Sequence, residues 1–101
     1  MIIYNITTKV HHSIASEWLQ WLKEVHVNEV MESECFTEYK IVKLLEVDEV
    51  EGPTYAVQFF ADSKALYNLY IDKFAGEMRK RSFAKWGDKF ISIRSVMQIV
   101  D

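Results

Sequence analysis

Apolar and polar positions alternate by twos at the start of the chain: Ile2, Tyr4, Ile6, Thr8 and Val10 fall on one side, Ile3, Asn5, Thr7 and Lys9 on the other. That is the period of a β-strand. Beyond His12 the period changes, with Ile14, Trp18, Trp21, Leu22, Val25, Val30 and Met31 recurring at threes and fours. An amphipathic helix of about five turns is predicted. Ser13 is placed to cap it, its hydroxyl accepting from a first-turn amide. The helix is expected to fray between Glu32 and Cys35.

From Tyr39 to Val47 the alternation returns, Ile41, Lys43, Leu45 and Val47 opposing Lys40, Val42, Leu44 and Glu46. A polar connection, Asp48 to Pro53, ends in Gly52 and the chain's only proline and suits a hairpin. Thr54 to Ala61 reads as a third strand, with Tyr55, Val57 and Phe59 opposite Ala56, Gln58 and Phe60. Asp62 or Ser63 then caps a second helix carrying Leu66, Leu69, Tyr70, Phe74 and Met78 on one stripe. Gly76 costs a helix about 1 kcal/mol relative to alanine, so a break is expected near Ala75 and Gly76. A short basic helix follows and stops at Gly87, and Lys89 to Val100 alternates as strand four.

Strand, helix, strand, strand, helix, strand with right-handed crossovers most simply gives an α+β fold: the ferredoxin-like βαββαβ sandwich. Its four-stranded antiparallel sheet has order 4-1-3-2, with both helices on one face, and residues 1–101 form a single domain. The other face is bare. Matching parity with Ile91, Ile93, Met97 and Ile99 toward the helices leaves Phe90, Ser92, Arg94, Val96, Gln98 and Val100 on the open side. Ile3, Asn5 and Thr7 of strand one, and Ala56, Gln58 and Phe60 of strand three, join them. Apolar patches of that size are rarely left in water. A second copy is the simplest cover, because a two-fold interface needs only one self-complementary surface. The expected assembly is a homodimer of the dimeric α/β-barrel type.

Composition narrows the classes further. The 101 residues are 50% hydrophobic, 27% charged and 14% aromatic, with three Gly, one Pro and one Cys. Disorder, collagen and a disulfide scaffold are excluded. Cys35 alone fits a reducing compartment, and its acidic neighbours Glu32, Glu34 and Glu38 do not activate a thiol. No apolar run approaches the roughly 20 residues a bilayer requires, and residues 1–10 lack the marks of a secretory signal. A cytoplasmic protein with no membrane partner is expected. A net charge of -3 gives no general pull toward nucleic acid or anionic lipid.

Asn5, Gln58 and Arg94 are the leading ligand-binding candidates, since the strand order sets them on three neighbouring strands and parity aims all three at the open face. An unpaired buried guanidinium costs several kcal/mol, so Arg94 must find a carboxylate or an anion. Its fork suits a ligand carboxylate or phosphate, or a structural network across a dimer interface. His26 lies on the line Trp18, Leu22, His26, Val30, each four apart, and faces the core margin. It is the catalytic candidate, its ordinary pKa of about 6.5 permitting acid-base work near neutrality. The alternative is a partly buried histidine bonded to a backbone carbonyl. His11 and His12 are adjacent at a strand end, their rings expected on opposite sides, and no metal-binding spacing exists. No phosphate loop, nucleophile elbow or cofactor motif is present either. Arg79, Lys80, Arg81, Lys85 and Lys89 form a basic run interleaved with Phe83 and Trp86. RNA binding ranks low, because the third strand lacks the basic start and aromatic spacing of the RNA-recognition module.

The segments Ile3-Tyr4-Asn5, Trp18, Trp21 and Leu22 to His26, Gly52 with Thr54, Tyr55 and Gln58, and Phe90 with Arg94 resemble a family of short bacterial proteins built on a domain of unknown function. The resemblance implies the ferredoxin-like, dimeric α/β-barrel fold and no particular reaction. One departure lies at the first helix exit, where a glycine is expected and Ser33, Glu34 and Cys35 precede Phe36. The first functional expectation is a homodimeric binding or regulatory module with no assignable catalytic activity. The second is a cofactor-independent enzyme, a monooxygenase or isomerase, acting on a small aromatic or anionic compound. There Arg94 anchors the anion, Asn5 and Gln58 orient it, and His26 moves a proton.

Overall fold

The computed structural model describes residues 1–101. β1 (Ile2–Val10) leads into α1 (Ala15–Trp21), which continues without a break as a π-helical stretch (Leu22–His26) and α2 (Val27–Met31). β2 (Glu38–Lys43), β3 (Thr54–Ala61), α3 (Lys64–Lys73), α4 (Ala75–Trp86) and β4 (Phe90–Gln98) follow. All strand pairs are antiparallel, in the order β2-β3-β1-β4. This is the expected order read from the opposite edge, and the fold is the ferredoxin-like sandwich.

The core lies between the helices and the sheet face carrying Ile2, Tyr4 and Val10 of β1 and Val57, Phe59 and Ala61 of β3. Tyr4, Phe36, Phe59 and Tyr70 form its aromatic centre, with the rings of Phe36 and Tyr70 4.9 Å apart and edge-on. Ser63 caps α3, its hydroxyl accepting from the Leu66 amide at 3.2 Å. The break between the last two helices falls at Phe74, one residue before the expected site, and Gly87 closes α4.

Four expectations change. Ser13 does not cap α1; its hydroxyl bonds the His11 ring instead, at 2.7 Å. Val25 is 44% exposed whereas Val27 is fully buried. The cause is the π turn, in which the Val27 amide reaches the Leu22 carbonyl, so the helix advances more than 3.6 residues before its face repeats. β2 stops at Lys43, four residues early, and Glu46 then takes a left-handed conformation. Glu34 does the same at the helix exit, where the resemblance predicts glycine, with φ 61°.

The fourth change concerns β4. Phe90 pairs with Val10, Ser92 with Thr8, Arg94 with Ile6 and Val96 with Tyr4. Directly opposed residues share a face, so these residues look toward the helices. Ile91, Ile93 and Met97 occupy the open face beside Lys9, Thr7 and Ile3. The parity expected for strand four is therefore inverted, and Arg94 lies on the opposite side of the sheet from Asn5 and Gln58. Both sides of this strand carry apolar residues, so alternation cannot tell them apart. The open face is more apolar as a result: Ile91 is 69% and Ile93 72% exposed.

The loop before β3 folds back on the end of β1, the Val10 amide donating to the Pro53 carbonyl at 3.0 Å and His12 to Glu51 at 2.9 Å. Gly52 lies in this seam with φ +152°, and a Cβ there would stand 1.8 Å from the Val10 carbonyl oxygen. Gly52→Ala is expected to cost about 3 kcal/mol or more, from backbone strain and the lost seam. Urea unfolding checks this; an unchanged midpoint would show that the seam yields.

Candidate functional site

Asn5 and Gln58 are direct cross-strand partners on the open face, and the Asn5 amide donates to the Thr7 hydroxyl at 3.0 Å. Arg94 is not with them. It meets His26 on the helix side, where both line a cavity of about 250 Å³ between sheet and helices. Ile6, Thr8, Val57, Ser92 and Arg94 belong to its sheet wall, Trp18, Trp21, Leu22 and His26 to the first helix. Arg79, Ser82 and Phe83 enter from α4, and Tyr55 and Phe90 add aromatic surface.

Local sequence explains each contribution. Phe90, Ser92 and Arg94 are two apart on one strand face, and Arg79, Ser82 and Phe83 share a helix face at spacings of three and four. Trp18, Leu22, His26 and Val30 are all buried, as their four-residue spacing predicts. Trp18 stacks on Tyr55 at 5.9 Å, and Trp21 stacks on His26 at 4.7 Å with Trp86 edge-on behind it. The cavity thus has flat, rigid walls. Sequence reasoning missed Arg79 and Phe83 because their basic-aromatic run reads as a solvated face. The spacing Arg79, Phe83 carries the signal, but only once α4 and β4 are known to line the same cavity.

Electrostatically the site is one-sided. Among its lining residues there is no aspartate or glutamate. Arg79 and Arg94 form no ion pair; Arg81, one turn from the cavity, takes Glu29 and Glu77 instead. Both cavity arginines remain exposed, so they stand where the cavity opens to solvent. His26 is 8% exposed, and its Nδ1 is sealed with no hydrogen-bond partner. Burial lowers its pKa to about 4; Arg94 and Arg81 act in the same direction, and Glu29 opposes them. The imidazole is therefore neutral at pH 7. Burial also raises the Tyr70 hydroxyl above the usual phenol range, so it stays protonated beside the smaller void that His26 and Arg94 also line.

His11 and His12 lie in the turn after β1 with ring centroids 4.4 Å apart rather than on opposite sides, because the strand ends at Val10. No cluster of three His, Cys, Asp or Glu side chains suited to a metal ion occurs. No helix is long and apolar enough to cross a membrane.

The family described as a domain of unknown function, DUF4286, matches residues 1–100. The chain belongs to this family. Solved structures share the fold of this DUF4286 protein at low identity. A dimeric ferredoxin-like protein from an uncultured marine organism is 10% identical, with 99% of this chain and 95% of that one covered and a TM-score of 0.69. An antibiotic biosynthesis monooxygenase is 13% identical, with full coverage of both chains (100% and 100%) and a TM-score of 0.68. A cofactor-independent oxygenase from Streptomyces nogalater is 7% identical, covering 99% and 94%, with a TM-score of 0.64. No curated protein matches the sequence.

The His26 environment makes stability depend on pH. The unfolded chain takes up a proton near the ordinary value of 6.5, whereas the folded chain resists it down to about 4. Between those values the unfolded state binds more protons, so stability falls as pH drops through this window, by about 3 kcal/mol in total. This contribution is complete above the upper value and falls no further below the lower one. His26→Phe keeps a ring against Trp21 and removes the titration. Urea melts near pH 7.5 and pH 4.5 should show a smaller pH dependence in the variant; equal dependence would mean that water reaches the ring.

Proposed function

We propose that this DUF4286 protein is a homodimeric small-molecule-binding module of the dimeric α/β-barrel type whose interlayer cavity takes a small aromatic anion. The observation that carries the reading is two guanidiniums without carboxylate partners at the mouth of an acid-free, aromatic-walled cavity. A cavity of roughly 150 Å³ suffices for benzene, so about 250 Å³ accommodates one substituted ring. Bidentate arginine bonds to a carboxylate would fix its orientation. Arg94 keeps the ligand role expected from the sequence, with Arg79 beside it. Asn5 and Gln58 pass to the dimer interface as a polar pair.

Trp18 and Trp21 line the cavity, so intrinsic fluorescence reports on occupancy. Benzoate and 4-methylbenzoate are expected to quench it saturably, and Arg94→Met should weaken binding about tenfold or more, the worth of a charged hydrogen bond. Because Arg94 faces away from the open sheet, the dimer should survive. Absence of saturable quenching by either acid would overturn the ligand reading.

The homodimer is supported by the apolar open face and by the dimeric assembly of one structural neighbour. Sedimentation at micromolar concentration should give the mass of two chains, and Ile93→Asp should reduce it to one. A single-chain mass for the unaltered protein would remove the dimer.

A second reading is a cofactor-independent oxygenase or isomerase. The named activities of two neighbours favour it, together with a neutral imidazole in the cavity. Dioxygen uptake coupled to loss of an electron-rich phenol, abolished by His26→Phe, would select it over a binding module.

A further inference from the structure

The charged groups of the cavity are donors only, and neither has a partner within the protein. Arg79 and Arg94 carry no acceptor. Ser82 spends its proton on the Met78 carbonyl at 3.1 Å, while Thr8 and Ser92 share one hydrogen bond at 2.8 Å and so keep one proton free between them. His26 decides what the rest of the ligand must be, because a neutral imidazole is a donor at one nitrogen and an acceptor at the other. Its Nδ1 is sealed without a partner; Nε2 also has no bond within the protein but is not sealed. Orphaned buried N–H groups are rarer than under-satisfied acceptors. The proton therefore belongs on Nε2, and the bare lone pair on the sealed Nδ1. Burial, with Arg94 and Arg81 acting in the same direction, keeps the ring neutral, so only one of its nitrogens carries a proton.

We propose that the cavity takes an aromatic oxo acid, its carboxylate held by Arg79 and Arg94 and its second oxygen, a carbonyl or phenolate, accepting from His26 Nε2–H. This deepens, and rests on, the aromatic-anion reading above. It makes His26 a hydrogen-bond donor to the ligand and not the base that its position first suggests. Ligands that donate at that point, amines and ammonium groups above all, meet a proton and two positive charges and are rejected.

Benzoate, 3- and 4-acetylbenzoate, and 3- and 4-aminobenzoate separate acceptor from donor at constant charge. Titrated into the 101-residue chain near pH 7.5, at least one acetylbenzoate should bind about tenfold more tightly than benzoate, and neither aminobenzoate should gain. In His26→Phe the ratio of acetylbenzoate to benzoate affinity should fall to about one, whereas His26→Gln, which keeps an N–H donor, should retain part of it. An aminobenzoate advantage, or an acetyl advantage that survives in His26→Phe, would overturn the proposal. The ¹⁵N shifts of the His26 ring test it without any ligand: protonated Nε2 and bare Nδ1 are expected, and the reverse tautomer would sink it. Failure of benzoate itself to bind would fall on the broader ligand reading, while the tautomer still decides the role of His26.

Discussion

The register between the edge strand β4 and its neighbour β1 governs both surfaces of the molecule. With Phe90 set against Val10, every even-numbered residue of β4 turns toward the helices and every odd one toward the open face. A slip of one residue would exchange the two sets, because the side-chain period of a strand is two. Arg94 would then stand on the bare sheet and Ile93 would fill the cavity. Hydrogen bonds beyond both ends of the ladder hold the register, His11 to the Lys89 carbonyl at 2.8 Å and Ile99 to the Met1 carbonyl at 3.0 Å. The Thr8 and Ser92 hydroxyls, bonded across the two strands inside the cavity, add a contact specific to this alignment.

The first helix supplies the complementary constraint. A regular α-helix over Ala15 to Met31 would repeat its face every 3.6 residues, and Val25 would share in the burial. The π turn at Leu22–His26 delays the face, bringing Val27 to complete burial and turning Val25 outward. Such turns weaken the local hydrogen-bond ladder and are frequent at functional sites. Here the turn ends on His26, whose sealed and unpartnered nitrogen costs roughly 1–3 kcal/mol. The fold thus leaves two buried polar atoms without partners, His26 Nδ1 on a residue of the aromatic cavity wall and the indole Nε1 of Trp86 behind it.

Much of this is legible from residue order. The alternation of β1 and β3, the line Trp18, Leu22, His26, Val30 and a cap at Asp62 or Ser63 all follow from period and residue type, and the order of elements makes the observed strand order the simplest one. That Asn5 and Gln58 share the open face follows from parity as well, but their direct pairing is set by the register of β1 on β3. The side taken by Arg94 does not follow. β4 carries Phe90 and Val96 on one side and Ile91, Ile93 and Met97 on the other, so hydrophobicity gives no preference and only the pairing with β1 decides. The π turn is equally hidden, because no residue type enforces it. Glu34 in the left-handed region is hidden for the opposite reason: the position calls for glycine, and the surrounding turn overrides the propensity of the residue present.

Arg94 and Ile93 are adjacent in sequence and point to opposite faces of the same edge strand. An edge strand is bonded on one side only, so β4 frays more readily than β1 or β3. Any cover over Ile91, Ile93 and Met97 would bury apolar area that is otherwise exposed, and would hold the strand against β1 as it does so. The same restraint would fix the backbone from which Arg94 reaches the cavity mouth. Assembly on the open face and recognition on the helix face would then be linked through the stiffness of one strand, without any residue touching both partner and ligand. The sign of that linkage follows from the geometry: ordering β4 for one event lowers the entropy cost of the other, so the two should reinforce each other.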